Sequence, residues 1–295
     1  MKILNFGSLN IDYTYRVDNF VKGGETISAS TMQKNIGGKG LNQSVALARA
    51  GARVYHAGSI GQDGYFLVKY LQENGVNTDH IFVGETATGH AIIQLDDKGQ
   101  NCIIIYGGAN TQITTEHIDD VLKCFDTGDV LLLQNEINNG RYIIEKAKEK
   151  GMVVVVNPSP VTNLDMPLEL VDYFLLNEHE AAALFHCEDI SVITEAMRRD
   201  YPQAKFVLTL GENGVIYIDK DSTIKQDAIK TQVVDTTAAG DTFTAALTLE
   251  YLKDKDLERA AIFSCAAAAI AVGRMGASSS IPYLAEVEAF LDGRK

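Results

Sequence analysis

The stretch VDTTAAGDTFTAAL, residues 234–247, sets the problem. Val233 and Val234 read as the end of an apolar strand. Small residues then strip the chain of bulk before an amphipathic helix, and Asp241 stands in that helix's first turn. A helix N-terminus carries unpaired N–H groups and the positive end of the macrodipole, so it receives anions. Bare backbone at Ala238, Ala239 and Gly240 lets a phosphate come close. A carboxylate one residue on then reaches a hydroxyl that must lose its proton to attack that phosphate. Plain helix stabilisation explains Asp241 equally well, so the motif needs company before it means catalysis.

Outward from this stretch, strand-like runs alternate with helical patterns. KILNFGS, ARVYHAGSI, DVLLLQ, MVVVVN, YFLLN and KFVLTL read as strands, and segments 40–51, 65–75, 139–151 and 178–185 as helices. Continuous Val/Ile/Leu strands in such alternation imply a mostly parallel sheet covered on both faces, a three-layer α/β/α arrangement. Two regions break the pattern, about 11–36 and about 88–107, where apolar and polar residues alternate at period two. The turn DDKGQN lies in the second. Both are expected in a small antiparallel sheet outside the main one, placed as a lid on a single domain spanning 1–295. Ligands of open α/β sheets sit beyond the carboxyl ends of the strands. Asn10, Asp12, Glu136, Asn157, Asn177, Thr209, Gly211, Asp235 and Asp241 follow strands and should converge there.

Composition narrows the partners. A formal charge of −13 argues against nucleic acid or an anionic membrane as the main partner. Backbone N–H groups and bound metal still allow an acidic protein to hold a polyphosphate. The four cysteines are scattered without CxxC pairs, so buried free thiols are expected. MKILNFGSLNID enters a strand pattern directly, and the apolar run 265–272 is too short to span a bilayer, which together read as a cytoplasmic protein.

Other motifs carry two readings each. NIGGKGLNQ (35–43) resembles a phosphate loop but lacks Walker A and GxGxxG spacing. Its Gly37, Gly38 and Gly40 free the backbone, while Lys39 and Asn42 offer donors to a polyol. Asn177 with Glu180 fits an N-cap with its reciprocal glutamate, and strand-end placement also puts the pair near phosphates and metal. LGENG (210–214) is a hairpin turn whose neighbours Thr209, Gly211 and Gly214 border a possible nucleotide site. The GRMGASSS turn (273–280) has carbonyls suited to a cation. No hydrolase constellation is present, and the six histidines are dispersed.

Taken in order, GSLNID (7–12), GGKGLNQ (37–43), GGAN (107–110), QNE (134–136), NPSP (157–160), LLNEHEA (175–181), LTLGENG (208–214) and DTTAAGD (235–241) resemble the ribokinase/PfkB family of carbohydrate kinases. The resemblance covers essentially the whole chain. It implies a ribokinase-like α/β fold and ATP-dependent phosphorylation of the primary hydroxyl of ribose. In it, Asp241 is the general base, and Gly240 with Ala238 and Ala239 forms the anion hole. Asn10, Asp12, Gly38, Lys39, Asn42, Glu136 and Asp241 match sugar-binding positions. Asn177, Thr209, Gly211, Gly214, Gly240 and Cys265 match the ATP side, and Glu180 lies near magnesium (Mg2+). Asp235, Thr237, Ala271, Arg274, Gly276 and Ser280 match a site for a monovalent cation, potassium (K+). The family's lid sheet also implies a homodimer. Cys265 stands where a different polar residue is usual beside the adenine. The segment after Glu136, and Tyr106, leave the sugar open among ribose, deoxysugar, ketose and nucleoside. An idle sugar sensor is a rival that intact Asp241, Gly240 and Lys39 disfavour. A dinucleotide-binding dehydrogenase lacks its glycine fingerprint.

Overall fold

The computed structural model describes residues 1–254 and 256–294. The chain opens with β1 (Ile3–Phe6), β2 (Asn10–Arg16), β3 (Thr31–Gly37) and α1 (Lys39–Arg49). It continues through β4 (Val54–Ile60), α2 (Tyr65–Glu73), β5 (Asn77–Val83), β6 (Gly89–Leu95) and β7 (Asn101–Tyr106). Next come α3 (Thr115–Leu122), β8 (Val130–Gln134), α4 (Gly140–Glu149) and β9 (Val153–Asn157). They are followed by β10 (Tyr173–Asn177), α5 (Glu178–Phe185), α6 (Ile190–Asp200) and β11 (Lys205–Thr209). The last elements are β12 (Val215–Ile218), β13 (Thr223–Gln226), α7 (Ala239–Asp254), α8 (Leu257–Val272) and α9 (Leu284–Asp292).

Nine strands form the main sheet in the order β13-β12-β11-β10-β9-β8-β1-β4-β5. From β11 to β5 all neighbours are parallel, while β12 and β13 fold back as an antiparallel edge. The continuous apolar strands have the reason anticipated for them. Successive side chains point to opposite faces, and both faces are covered. Val130, Leu132, Val155, Leu175 and Val207 pack with Leu41 of α1, Leu67 of α2, Phe243 of α7 and Ala260 of α8. Leu131, Leu133, Val154, Phe174 and Leu208 pack with Ile118 of α3, Ile143 of α4, Ala181 of α5 and Met197 of α6. The result is three layers, helix on sheet on helix.

A second sheet, ordered β3-β2-β6-β7, holds the two regions of period-two alternation. Its outer pairs are antiparallel and its central pair, β2 with β6, is parallel. Asn10 pairs with Gly37 on one side and Gly89 on the other, so this sheet springs from the place where β1 and α1 meet.

Two local expectations are corrected. Val233 and Val234 form no strand; they lie in the connection 227–238 and are 61% and 49% exposed. The antiparallel edge ends at Gln226, and the N–H groups of Val234 and Asp235 instead donate to Val272 O at 2.7 and 3.1 Å. Nor is α7 amphipathic over its first half: every residue from Thr242 to Leu249 is buried, between α1 and α8. Its threonines hide their hydroxyls on the helix itself, Thr242 Oγ1 donating to Ala238 O and Thr248 Oγ1 to Thr244 O. The thiols also differ from expectation, since Cys102 and Cys124 are exposed, Cys187 is half-buried and Cys265 alone is buried. Among the described residues no helix is long and apolar enough to cross a membrane.

Candidate active site

Because β1, β8, β9, β10 and β11 run parallel, their polar ends meet at one edge. Gln134 at the end of β8 pairs with Asn157 of β9, and Asn177 at the end of β10 pairs with Thr209 of β11. The start of α7 faces this edge. Ala238, just before the helix, takes a left-handed backbone with φ of 59°, which costs a residue with a Cβ about 1–2 kcal/mol. Its carbonyl accepts from Thr242 N, so the turn is held by the helix it starts. At Gly240 a Cβ would meet nothing within 4 Å, leaving the helix entrance bare toward open space.

Asp241 is gripped from across the cleft by α1. Asn42 Nδ2 donates to its Oδ2 at 3.2 Å and Gln43 Nε2 to its Oδ1 at 2.9 Å. The glycines of GGKG serve this approach. Gly38 has φ of 98°, and a Cβ on Gly40 would lie 2.4 Å from Ser8 N. They let α1 begin directly against the β1–β2 connection, which brings Lys39 and Asn42 to Asp241.

Charges crowd here. Burial alone would pull the Lys39 ammonium down, but attraction from Asp241, Glu136 and Glu180 outweighs it and holds the group above its ordinary value. Burial pushes the Glu136 carboxyl up, against hydrogen bonds from Ser8 Oγ and from Lys39 N and the attraction of Lys39. Asp12 is raised to about 6, by burial first and then by the charge of Glu136. Asn10 Oδ1 beside them accepts from Asn110 Nδ2 at 2.8 Å.

A cleft of about 220 Å³ opens between Lys39, Asn177, Glu180, Thr209, Ala238, Gly240 and Asp241, with apolar walls from Val207 and Phe243. Glu180 Oε2 accepts from Asn177 N at 3.0 Å and Asn177 Oδ1 from Glu180 N at 2.8 Å, a reciprocal cap that opens α5. Asn157 Nδ2 adds a further bond to Glu180 Oε2 at 3.2 Å. Among the described residues no three His, Cys, Asp or Glu side chains converge to cage a metal. A hydrated magnesium on phosphates asks only one or two carboxylates of the protein, and the donor set around Glu180 fits that.

The remaining residues singled out from sequence fall in three places. Asp12, Asn10, Gly38, Asn42 and Glu136 gather around the start of α1, beyond Asp241 and Lys39 from the cleft. Gly211 and Gly214 bracket the turn after β11. Asp235, Thr237 and Gly276 come together, Asp235 Oδ1 accepting from Thr237 N and Oγ1 and its Oδ2 from Gly276 N at 2.9 Å. Of the other expected cation-site residues, Arg274 N donates to Ala271 O while its guanidinium pairs with Glu286, and Ser280 Oγ donates to Ala277 O. Cys265 does not line the cleft. It is buried in the core on α8, where burial pushes its thiol up to about 11. Sequence reading passed over Ser8, Asn110 and Gln43; of these only Ser8 carried a signal, a polar residue directly after a strand.

A profile described as pfkB family carbohydrate kinase matches residues 1–284. The chain belongs to the PfkB family of carbohydrate kinases. Its PfkB relatives include the ribokinase of Haemophilus influenzae, 35% identical with 97% of each chain covered. Among solved structures, the ribokinase of Thermotoga maritima superposes with a TM-score of 0.88 at 36% identity over 99% of each chain. A ribokinase of Arabidopsis thaliana complexed with ribose and ATP does so at 0.87 and 31% identity over 98% of each. The cleft and the Lys39–Asp241 cluster therefore sit within the part of the chain that matches the PfkB family, residues 1–284.

Proposed function

We propose that this PfkB kinase transfers the terminal phosphoryl group of ATP to the primary (5-) hydroxyl of D-ribose, giving ribose 5-phosphate. One observation carries the reading. Asp241 stands at a bare helix entrance, where the cleft meets a separate polar cluster built on Asp12, Asn42 and Glu136. The nucleotide takes the cleft of Asn177, Thr209 and Gly240, with Gly211 and Gly214 at its border. The sugar takes the polar cluster, where Asn10, Asp12, Lys39, Asn42 and Glu136 bind its hydroxyls. Asp241 Oδ1 and Oδ2 each already accept one amide hydrogen, which fixes the carboxylate plane. The carboxylate then takes the proton of the attacking hydroxyl, and the oxygen attacks the phosphorus in line with the leaving ADP. N–H groups at Ala238, Ala239 and Gly240 receive the charge on the transferring group, and Lys39 supplies a fixed positive charge beside it.

Glu180 would hold the magnesium of a bound nucleotide, which would neutralise phosphate charge. Asp235, Thr237 and Gly276, with the carbonyls of the late turn, would hold a potassium ion beside the turn that leads into α7. The small sheet acts as a lid over the sugar within one domain. Its outer strand β7 exposes Ile103, Ile104, Ile105 and Tyr106, an unpaired apolar edge that a second copy covers to form a homodimer.

The test is ADP release over a panel of ribose, 2-deoxyribose, a ketohexose and a nucleoside, with and without potassium. Ribose is expected to give the highest kcat/KM, increased by potassium. Preference for a nucleoside moves the assignment within the family, and no ADP release with any acceptor overturns it.

A further inference from the structure

Behind Asp241 lies a chain of buried amides that the phosphoryl-transfer scheme has not used. Gln43 is 0% exposed. Its Nε2 donates both to Asp241 Oδ1 at 2.9 Å and to Asn157 Oδ1 at 3.3 Å. Its Oε1 accepts from Gln134 Nε2 at 2.6 Å. Gln134, also wholly buried, gives its other N–H to Asn5 Oδ1 at 3.0 Å. Asn5 Nδ2 in turn donates to Gly40 O and to Ser44 Oγ, and Ser44 meets His56 Nδ1 at 2.8 Å. His56 is fully buried and held neutral, with its value lowered to about 3 by burial.

The direction of this chain is fixed by its donors. Both hydrogens of Gln134 are committed, one to Asn5 and one to Gln43, so Gln43 must present its oxygen to Gln134 and its nitrogen to Asp241. A flipped Gln43 would set its oxygen against the Asp241 carboxylate and against Asn157 Oδ1, and its nitrogen against a donor. Three favourable contacts would become repulsive at once at a fully buried side chain. Asn157 carries the same order onward, since its Nδ2 donates to Glu180 Oε2 at 3.2 Å and Leu175 O at 2.9 Å. Two amides thus connect the carboxylate on the sugar side with the carboxylate on the nucleotide side.

We propose that Gln43 is a positioning residue for phosphoryl transfer: it holds Asp241 as an oriented proton acceptor and, through Asn157, sets it in register with Glu180. The inference rests on the reading of Asp241 as general base. Gln43 is buried behind Asp241; it acts by occupying one Asp241 oxygen with an N–H, which fixes the carboxylate and leaves its remaining lone pairs for the alcohol. The other charged groups near Asp241 are Lys39 and Glu136.

Gln43→Glu tests this, because it keeps the shape and the acceptor for Gln134 while replacing the donor to Asp241. The expected result is a fall in kcat of about 10–100-fold with both KM values within about threefold of wild type. The acid limb of the kcat–pH profile should move up by about one unit, because the introduced carboxyl faces the one at position 241 and the two hold a proton between them. Gln134→Met, one step back, should move the same limb by less, and is read in its place if Gln43→Glu does not fold. A drop in unfolding temperature or a rise in KM with an unmoved acid limb in the folded variant overturns the inference and leaves a structural role. Failure of the base assignment itself is separate: Asp241→Asn would then retain turnover, whatever Gln43→Glu does.

Discussion

Replacing Asp12 by Asn should stabilise the ligand-free protein at neutral pH and leave it little changed in acid. Asp12 is held at about 6 against an ordinary 3.8, first by burial and then by Glu136. A carboxyl whose value is raised on folding binds its proton more tightly in the native state, so its ionisation opposes folding as pH climbs. The difference is about 2 units, and each unit corresponds to about 1.4 kcal/mol. The penalty is therefore absent well below pH 3.8, grows between 3.8 and 6, and levels off above it at about 3 kcal/mol. At pH 5 linkage gives about half that value. Asparagine fills the same space and stays neutral, so it escapes the penalty at every pH. Urea unfolding of wild type and Asp12→Asn at pH 4.5, 5, 6, 7 and 8 measures the gap. The variant should be more stable by about 2–3 kcal/mol at pH 7, with the advantage shrinking steadily toward pH 4.5. A gap of the same size at all five values, or a wild type more stable at pH 8, refutes the placement of two facing carboxylates in a desolvated pocket.

Two further outcomes follow from local geometry. Gly38→Ala puts a Cβ on a residue with φ of 98° and 2.9 Å from Ser8 O, so unfolding free energy should fall by about 1–3 kcal/mol and sugar KM should rise; stability within a few tenths of wild type contradicts the close approach of α1 to the β1–β2 connection. Ile104→Lys charges a 61% exposed position on the open edge of β7, and sedimentation should show the dimer falling apart to monomer; an unchanged sedimentation coefficient removes that edge from the interface.

The layers were legible because VLLLQ and VVVVN leave no room for a solvated face, and polar residues at their ends mark the ligand-binding edge. Asp241 stood out only in company: a first-turn carboxylate stabilises any helix, and it was the ordered set of motifs along the chain that gave it a second reading. What escaped notice depended on tertiary burial of polar letters. The helix from 239 was expected to be amphipathic, yet Thr242 and Thr248 satisfy their hydroxyls on the helix's own carbonyls, and every residue from Thr242 to Leu249 is buried. His56, one of six scattered histidines, is wholly buried against Ser44. Gln43 differs from its neighbours only in what it meets: Gln134, Asn157 and Asp241 come from three other elements, and nothing in local spacing announces that they converge. Cys265 matched the nucleotide side by motif position, while its side chain turns into the core. The valines before Asp235 failed as a strand because the antiparallel edge had already ended and their hydrogen bonds go to Val272.

Single-turnover phosphorylation of ribose by Asp241→Asn, alongside calorimetric titration of ribose into the same variant, tests the central claim most directly. A general base contributes about 100- to 10,000-fold, so the chemical step should slow by that range while ribose still binds within about threefold of wild type. Phosphoryl transfer at near wild-type rate in a variant with no carboxylate at position 241 would contradict it.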